Sequence, residues 1–388
     1  MKLFKTVSIG CFYLLWICMV LRAESPPSNI ILCIGDGMGF EQVKAGRCYL
    51  GKPMSFELFP YQSSVITVSA NSPVTDSAAS GTAMASGIKV NNGVISMAMP
   101  GDGRELETLL EYYARQGKST GLVTTCYMTH ATPAVFAAHD PSRYNFADIA
   151  SDYFNQTRPD LLLGGGGVGM SIEAAQAAGY QTVTNAAELH ALDPENTTRI
   201  SGQFGGYNLP YEFDGLNDLP HLSEMTRFAL ACLDNNEKGF FLMMEGGRID
   251  HACHENNRER MVHEVLEFSR AVQEVYDWAA DREDTLIIVT ADHETGGLTV
   301  TADRGVGNYP DVTWSTWGHT GENVPIYAWG AGVEKIVTAS GDPLDNTDIY
   351  KLLKYPASGQ SGEAPMFTPT PGTGNPSSQV EYLWELLR

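Results

Sequence analysis

Short apolar runs that end in glycine, threonine or an acidic residue constrain the fold of this chain most strongly. They lie at residues 28–37 (SNIILCIGDG), 118–125 (KSTGLVTT), 238–247 (KGFFLMMEGG) and 284–293 (DTLIIVTADH). Such runs are typical of strands buried on both faces of a sheet. Between them lie helical patterns, clearest at residues 104–117 and 258–284, where apolar residues recur at intervals of three and four. This alternation predicts an α/β fold with a mainly parallel sheet covered by helices on both faces.

Polar side chains stand at the ends of three of these predicted strands. Asp36 follows the first, Glu245 ends the third, and the pair Asp292 and His293 follows the fourth. In open α/β sheets the ligand site lies beyond the carboxyl ends of the strands. Three distant segments are therefore expected to meet at one site.

The two ends of the chain differ in composition from the middle. Residues 1–23 join Lys2 and Lys5 to an apolar run, which predicts a secretory signal cleaved after Ala23. The run is short for a membrane anchor, and most of it follows Cys11, which disfavours a lipoprotein. We expect an exported protein, periplasmic or extracellular, without a membrane span after signal removal. Residues 24–355 are predicted to form a single catalytic domain. Residues 356–388, rich in Pro, Gly, Ser and Thr, are predicted to be a tail with a short terminal helix.

Composition limits the classes of partner and of scaffold. The 388 residues are 43% hydrophobic, enough for a large core, and carry a formal net charge of -21. Such a surface repels phosphate backbones, so nucleic acid is not expected as a specific partner. The seven cysteines show no regular spacing and indicate no disulfide framework. An anionic substrate would need a local source of positive charge.

Residues 248–257 (RIDHACHENN) place four possible metal ligands within five positions, namely Asp250, His251, Cys253 and His254. Asp250 and His254 are four apart and share one face of a helical turn. Cys253 is not excluded by spacing, although a small buried hydrophobe is its ordinary interpretation. The adjacent Asp292 and His293 are a suitable zinc pair, and His319 lies in a glycine-flanked loop, where alone it would more often be a surface residue.

Two further segments bear on anion binding. In residues 72–87 (SPVTDSAASGTAMASG), Thr75 and Asp76 are possible N-caps and Ser77 falls in the first helical turn, where backbone N–H groups favour an anion. Residues 161–170 (LLLGGGGVGM) resemble a phosphate loop but lack its Gly-Lys-Ser/Thr ending, so a loop with positive φ is favoured. Together, the carboxylates, histidines and helix-terminal serine predict a polynuclear metal site for phosphoryl transfer.

The motifs IGDGMG, VTDSAASGTAMASG, HATPA followed by SR, EGGRIDHACH, TADHETGG and GHTG occur in the order found in alkaline phosphatases. The chain resembles this family over about residues 29–354. The resemblance implies a large mixed, mostly parallel sheet sandwiched between helical layers, with two Zn²⁺ and one Mg²⁺. The short stretch between His293 and His319 leaves room only for a small crown region, and a homodimer is the family expectation.

The resemblance also implies roles for individual residues. Ser77 would be the nucleophile and Arg143 the phosphate-gripping guanidinium. The metal ligands would be Asp250, His254 and His319 for the first zinc, Asp36, Asp292 and His293 for the second, and Asp36, Thr132 and Glu245 for magnesium. His130 and His251 stand where some members carry Asp and Lys, which makes Zn²⁺ an alternative at the third site. With Asp76, they are expected to tune phosphate binding or that site.

The implied reaction is hydrolysis of phosphate monoesters through a phosphoserine on Ser77 and a zinc-activated water, with broad specificity and an alkaline optimum. A phosphodiesterase or another hydrolase of the same superfamily is the main alternative. A secreted metal- or phosphate-binding protein without activity is a second. Substrate-facing variation is expected between Arg143 and Glu245.

Overall fold

The computed structural model describes residues 26–333 and 343–354. The predicted signal at residues 1–23 and the predicted tail at residues 356–388 lie outside this part of the chain. Its centre is a ten-stranded sheet. None of the described helices is both long and apolar enough to cross a membrane.

The strands are β1 (Asn29–Gly35), β2 (Tyr61–Ile66), β3 (Ser119–Tyr127), β4 (Leu161–Gly165), β5 (Gln181–Val183), β6 (Ile200–Gln203), β7 (Phe240–Gly246), β8 (Thr285–Thr290), β9 (Glu294–Thr295), β10 (Thr299–Ala302), β11 (Asp311–Thr313), β12 (His319–Thr320), β13 (Val324–Gly330) and β14 (Leu344–Asp345). The order of the strands in the large sheet is β14-β2-β13-β8-β1-β7-β3-β4-β6-β5, and outside it β10 pairs with β11 and β9 pairs with β12. The segment between His293 and His319 therefore contains short strands rather than a large insertion.

The helices are α1 (Phe40–Leu50), α2 (Ser77–Ser86), α3 (Leu109–Arg115), α4 (Ala131–Ala137), α5 (Phe146–Asp152), α6 (Ile172–Ala177), α7 (Ala186–His190), α8 (Leu222–Leu233), α9 (Arg248–His254), α10 (Arg258–Ala279) and α11 (Asn346–Leu353). Short 3-10 turns lie at Ser55–Leu58, Pro194–Asn196 and Glu212–Asp214, and a π turn at Tyr153–Thr157.

The predicted α/β fold is confirmed. Strands β8, β1, β7, β3, β4, β6 and β5 run parallel, whereas β13 is antiparallel to β2 and β8. Every residue of β1, β7 and β8 is buried, because helices cover both faces of the sheet. One group of helices packs around α10 (α1, α8 and α9), and another packs around α2 (α3, α4 and α11).

Two predicted helix boundaries were wrong. The pattern at residues 104–117 forms a helix only from Leu109, because Thr108 and Glu111 form a capping box that starts it there. The preceding residues are extended instead, with the Leu106 N–H donating to the Ser96 carbonyl. The pattern at 258–284 ends at Ala279, where the Arg282 N–H closes a turn onto the Ala279 carbonyl before β8 begins.

The order of the central strands determines where the site lies. Strand β1 lies between β8 and β7, with Ile34 paired to Thr290 on one side and Glu245 on the other. The side chains that follow these three neighbouring strands must therefore meet at one edge of the sheet. This is the arrangement that the strand-end pattern predicts.

Candidate metal centre

The first group of possible ligands lies where β1 and β8 end. Asp36, Asp292 and His293 are fully buried. The His293 Nε2 atom lies 3.5 Å from Asp36 Oδ1 and 3.3 Å from Asp292 Oδ2. The Gly37 N–H donates to Asp292 Oδ1 at 3.1 Å, which leaves Oδ2 facing the histidine. Two carboxylates and one imidazole thus point into the same small volume.

A second group joins helix α9 to the loop that carries strand β12. His254 Nε2 lies 3.3 Å from Asp250 Oδ2, and His319 Nε2 lies 3.7 Å from Asp250 Oδ1. The Nδ1 atoms donate to backbone carbonyls, that of His254 to Trp317 at 2.5 Å and that of His319 to Thr75 at 2.9 Å. Their Nε2 atoms consequently face each other at 3.1 Å. A hydrogen bond from the ring nitrogen that does not face the metal is the usual way in which a metal-binding imidazole is oriented.

The second group favours positive charge. The hydrogen bond with Asp250 raises the pKa of His254 to about 9. Burial acts to raise the pKa of Asp250, but the hydrogen bond with His254 and the nearby histidines hold that pKa well below its usual range. A cation, whether a proton or a metal ion, is therefore stabilised between these side chains.

A third group comprises Asp36, His130 and Glu245, whose ligand atoms lie within 4.8 Å of one another. His130 Nδ1 lies 3.9 Å from Glu245 Oε1. The Thr124 hydroxyl donates to Glu245 Oε2, so one carboxylate oxygen remains. Thr132 lies in the first turns of α4 and is fully buried.

Unpartnered polar atoms test whether these residues suit metal ions. Within the described residues, buried atoms without a hydrogen-bond partner include Asp36 Oδ1 and Oδ2, Asp292 Oδ2, Glu245 Oε1, Thr132 Oγ1 and His130 Nδ1. Burying unpaired carboxylate oxygens is costly unless cations neutralise them. Carboxylate with imidazole suits Zn²⁺, and the oxygen-rich third set suits Mg²⁺ as well. The donors present fit the expected metals.

Mutual repulsion among the carboxylates leads to the same conclusion. Burial, followed by the charges of Asp292, Asp250 and Glu245, raises the pKa of Asp36 well above its usual range. Burial raises the pKa of Asp292 to about 6 and that of Glu245 to about 7. Bound cations would relieve this repulsion and keep the carboxylates ionised.

Ser77 lies at the first position of α2, facing the first group of ligands. Of the two predicted N-caps, Asp76 is the one used, since its Oδ1 accepts from the Ala79 N–H at 3.0 Å. The Ser77 hydroxyl lies 3.3 Å from His293 Nε2. The serine thus stands between a helix N-terminus and the buried histidine.

Arg143 is anchored beside Ser77. Its NH1 donates to Asp76 Oδ2 at 2.9 Å, and its NH2 donates to His130 Nε2 at 3.2 Å. Burial acts to raise the pKa of Asp76, but the Arg143 charge and backbone donors lower it, so Asp76 stays anionic. A cationic guanidinium therefore lies over the N-terminus of α2.

The four candidates in RIDHACHENN separate in space. Asp250 and His254 belong to one group, as described. His251 accepts from Arg248 NH1 at 2.9 Å, and burial lowers its pKa to about 4. Cys253 is buried, its sulfur 3.9 Å from Gln42 Nε2, and among the described residues it joins none of the ligand groups.

Sequence reasoning missed two residues of this region. Thr295 Oγ1 donates to Asp250 Oδ1 at 2.5 Å and lies 3.2 Å from His293 Nδ1. Cys126 groups with His130 and His251, its sulfur 3.9 Å from His251 Nδ1. Thr295 lies within TADHETGG, but only the pairing of β9 with β12 aims it at Asp250. Nothing in the local pattern singles out Cys126.

Comparisons with known proteins identify one family. The family model for alkaline phosphatase matches residues 27–310. Alkaline phosphatase 3 of Bacillus subtilis (strain 168) is 32% identical, over 84% of this chain and 89% of that protein. Alkaline phosphatase of Escherichia coli (strain K12) is 30% identical, over 86% of each.

Solved structures show the same fold. Alkaline phosphatase from the Antarctic bacterium TAB5 superposes with a TM-score of 0.75 at 28% identity, over 85% of this chain and 98% of that one. The Thermus thermophilus enzyme gives a TM-score of 0.76 at 25% identity, over 93% and 96%. A histidine-to-aspartate variant of the TAB5 enzyme, with a TM-score of 0.74, 27% identity and coverage of 84% and 97%, is described with Mg bound in its M3 site. The resemblance in the motifs is thereby confirmed, and the chain belongs to the alkaline phosphatase family of metal-dependent phosphomonoesterases.

Proposed function

We propose that this chain hydrolyses phosphate monoesters through a covalent phosphoserine on Ser77. The observation that carries the proposal is the position of Ser77 at the first residue of α2, with Arg143 anchored by Asp76 on one side and His293 on the other. A nucleophile, an anion-binding helix end and a guanidinium meet there. These are the parts that phosphoryl transfer needs around the reacting phosphorus.

The three groups of donors are proposed to hold the metal ions. Asp250, His254 and His319 would hold one Zn²⁺, and Asp36, Asp292 and His293 the other. Asp36, Thr132 and Glu245 would hold Mg²⁺, and Zn²⁺ is the alternative there. In that case His130 Nδ1 would be a ligand, and its Nε2 would carry the proton instead of accepting from Arg143. When bound, these ions supply positive charge that lowers the pKa of water and of the serine hydroxyl and stabilises the phosphoryl oxygens.

The protein's own groups orient the phosphate. The free backbone N–H groups at the start of α2 and the positive end of its dipole attract the dianion. Asp76 and His130 each hold one terminal nitrogen of Arg143, so the guanidinium is fixed before substrate arrives. Its remaining N–H donors can hold two phosphoryl oxygens as a bidentate pair.

The reaction is proposed to run in two displacements. The Ser77 oxygen forms a bond to phosphorus while the ester bond to the alcohol breaks, and the alcohol leaves with a proton. Water then attacks the phosphoserine, releasing inorganic phosphate and returning the proton to Ser77. Because each displacement inverts the phosphorus, the overall result is retention.

Ser77→Ala tests the nucleophile. Turnover of a chromogenic monoester should fall on the order of a thousandfold or more, since the covalent route is lost. Ser86→Ala is a matched control at the other end of α2, where the hydroxyl donates to the Thr82 carbonyl and is remote from the ligand groups. Acid quenching of the wild-type enzyme during turnover should trap a phosphopeptide that contains Ser77, detected by mass spectrometry.

Undiminished turnover by Ser77→Ala would refute the covalent mechanism. A higher kcat/KM for a phosphodiester than for its matched monoester would favour the diesterase alternative. Absence of hydrolysis of either ester by the metal-loaded protein would refute the proposed function and leave a different hydrolase of the superfamily or a binding protein.

We also propose that the chain is exported to the periplasm or the extracellular space and acts as a homodimer. Export rests on the composition of residues 1–23, and the dimer rests on family membership. Cell fractionation and light scattering on the mature protein test the two points separately. A cytosolic, unprocessed product would contradict the first, and a monomeric mass the second.

A further inference from the structure

Four aromatic rings form a connected cluster beside the candidate site. Tyr127 and Tyr207 stack with centroids 5.0 Å apart and planes 24° apart. Phe146 meets Tyr127 edge-on at 5.7 Å, and Tyr144 meets Phe146 edge-on at 6.4 Å. These four residues form the aromatic platform.

The platform begins at the phosphate-binding groups. Tyr127 meets the His130 ring edge-on at 5.3 Å, and His130 accepts a hydrogen bond from Arg143. Tyr144 directly follows Arg143 in the chain. The rings therefore lead from the proposed phosphate grip towards the surface of the molecule.

The glycine-rich segment at residues 164–169 allows the loops of the platform to approach each other. A Cβ at Gly165 would lie 1.8 Å from the Tyr207 carbonyl oxygen. At Gly169, where φ is +91°, a Cβ would lie 2.4 Å from the Phe146 carbonyl oxygen. The segment that resembles a phosphate loop therefore needs glycine at these two positions. A side chain there would collide with the backbone of Tyr207 or Phe146.

The outer rings are open to solvent. Tyr207 is 56% exposed and Tyr144 is 73% exposed. Because Tyr127 covers one face of the Tyr207 ring, the exposed area lies on its other face and edges. Both rings belong to one connected aromatic cluster, and a contiguous exposed apolar surface is typical of a ligand-binding groove. An exposed ring over a fixed, stacked neighbour is suited to stack a further planar group.

We propose that the aromatic platform binds the alcohol half of the substrate and favours monoesters whose alcohol carries a planar ring. The inference rests on the proposed function, because it takes the phosphate to be held by Arg143 and Ser77. A ring joined directly to the ester oxygen would meet Tyr127, the inner ring. A ring carried on a sugar would reach Tyr207, which makes nucleoside 5′-monophosphates the class that fits best.

The test compares kcat/KM for adenosine 5′-monophosphate, phenyl phosphate and β-glycerophosphate in the metal-loaded enzyme. Tyr207→Ala should lower the preference for the nucleotide over β-glycerophosphate by about fivefold, the low end of what base stacking on an aromatic side chain contributes. Tyr207→Phe keeps the ring and should retain the preference. Phenyl phosphate should lose less kcat/KM than the nucleotide, because its ring is proposed to meet Tyr127. An equal loss would refute this division between the inner and outer rings.

Phe213→Ala is the matched control, since Phe213 is 48% exposed and its ring contacts His263 rather than the platform. It should leave all substrate ratios unchanged. If Tyr207→Ala also leaves them unchanged while the wild type hydrolyses all three esters, the platform does not bind the alcohol and the proposed function stands. If the wild type hydrolyses none of them, the proposed function fails and this inference fails with it.

Discussion

Glu264 is a buried carboxyl group in α10 whose ionisation should make stability depend on pH. It is 3% exposed, and its Oε1 accepts from the Glu212 N–H at 2.8 Å. Burial raises its pKa from 4.5 to about 8; the Glu212 N–H and Arg248 oppose this shift, while the charges of Glu212 and Glu267 reinforce it. Glu264→Gln removes the titration and keeps an oxygen that can accept from Glu212.

The raised pKa determines the direction in which folding stability changes with pH. Between pH 4.5 and about pH 8 the unfolded chain has lost this proton while the folded chain keeps it. The stabilisation is therefore complete below pH 4.5 and is lost as the pH rises towards 8. The loss is at most about 1.4 kcal/mol per pH unit, so on the order of 2–3 kcal/mol disappears between roughly pH 5.5 and 7.5.

Urea unfolding followed by tryptophan fluorescence measures this loss in a buffer with fixed zinc and magnesium. From about pH 5.5 to 7.5 the wild type should lose on the order of 2–3 kcal/mol more than Glu264→Gln. Glu274→Gln removes a negative charge from an exposed pair with Arg227 and controls for net charge. Parallel losses in the wild type and Glu264→Gln would refute a protonated Glu264 in the folded state.

Three further outcomes are expected. His254→Ala should lower the bound zinc measured by elemental analysis whereas Cys253→Ser should not, because only His254 groups with Asp250 and His319; the reverse result would contradict this assignment. Arg143→Lys should raise the inhibition constant for inorganic phosphate about tenfold, since lysine cannot donate a bidentate pair, and an unchanged constant would show that Arg143 does not hold phosphate. Thr108→Ala should lower the free energy of unfolding by about 1 kcal/mol through loss of the capping box, with Thr108→Ser retaining most of it in urea denaturation.

The element types and the location of the site could be predicted, whereas element boundaries could not. The central strands are continuous apolar runs, and the polar residues that end them occupy one edge of a parallel sheet. The start of α3 depends on the capping box formed by Thr108 and Glu111 and on the pairing of residues 104–107 with the chain near Ser96. The periodic pattern extends across this boundary without marking it.

The sequence by itself determined the fold class and the ligand types, because alternation of strands and helices and the chemistry of Asp, His and Glu are local properties. Only the tertiary structure shows how the candidate ligands group in space. Spacing left Asp250, His251, Cys253 and His254 open, and the resemblance alone implied Asp250 and His254. In the structure, His319 approaches these two residues from a loop 65 residues away. The same holds for the glycine-rich segment, whose partners, Tyr207 and Phe146, come from other loops. Contacts between distant segments depend on the packing of the whole chain, which no local pattern records.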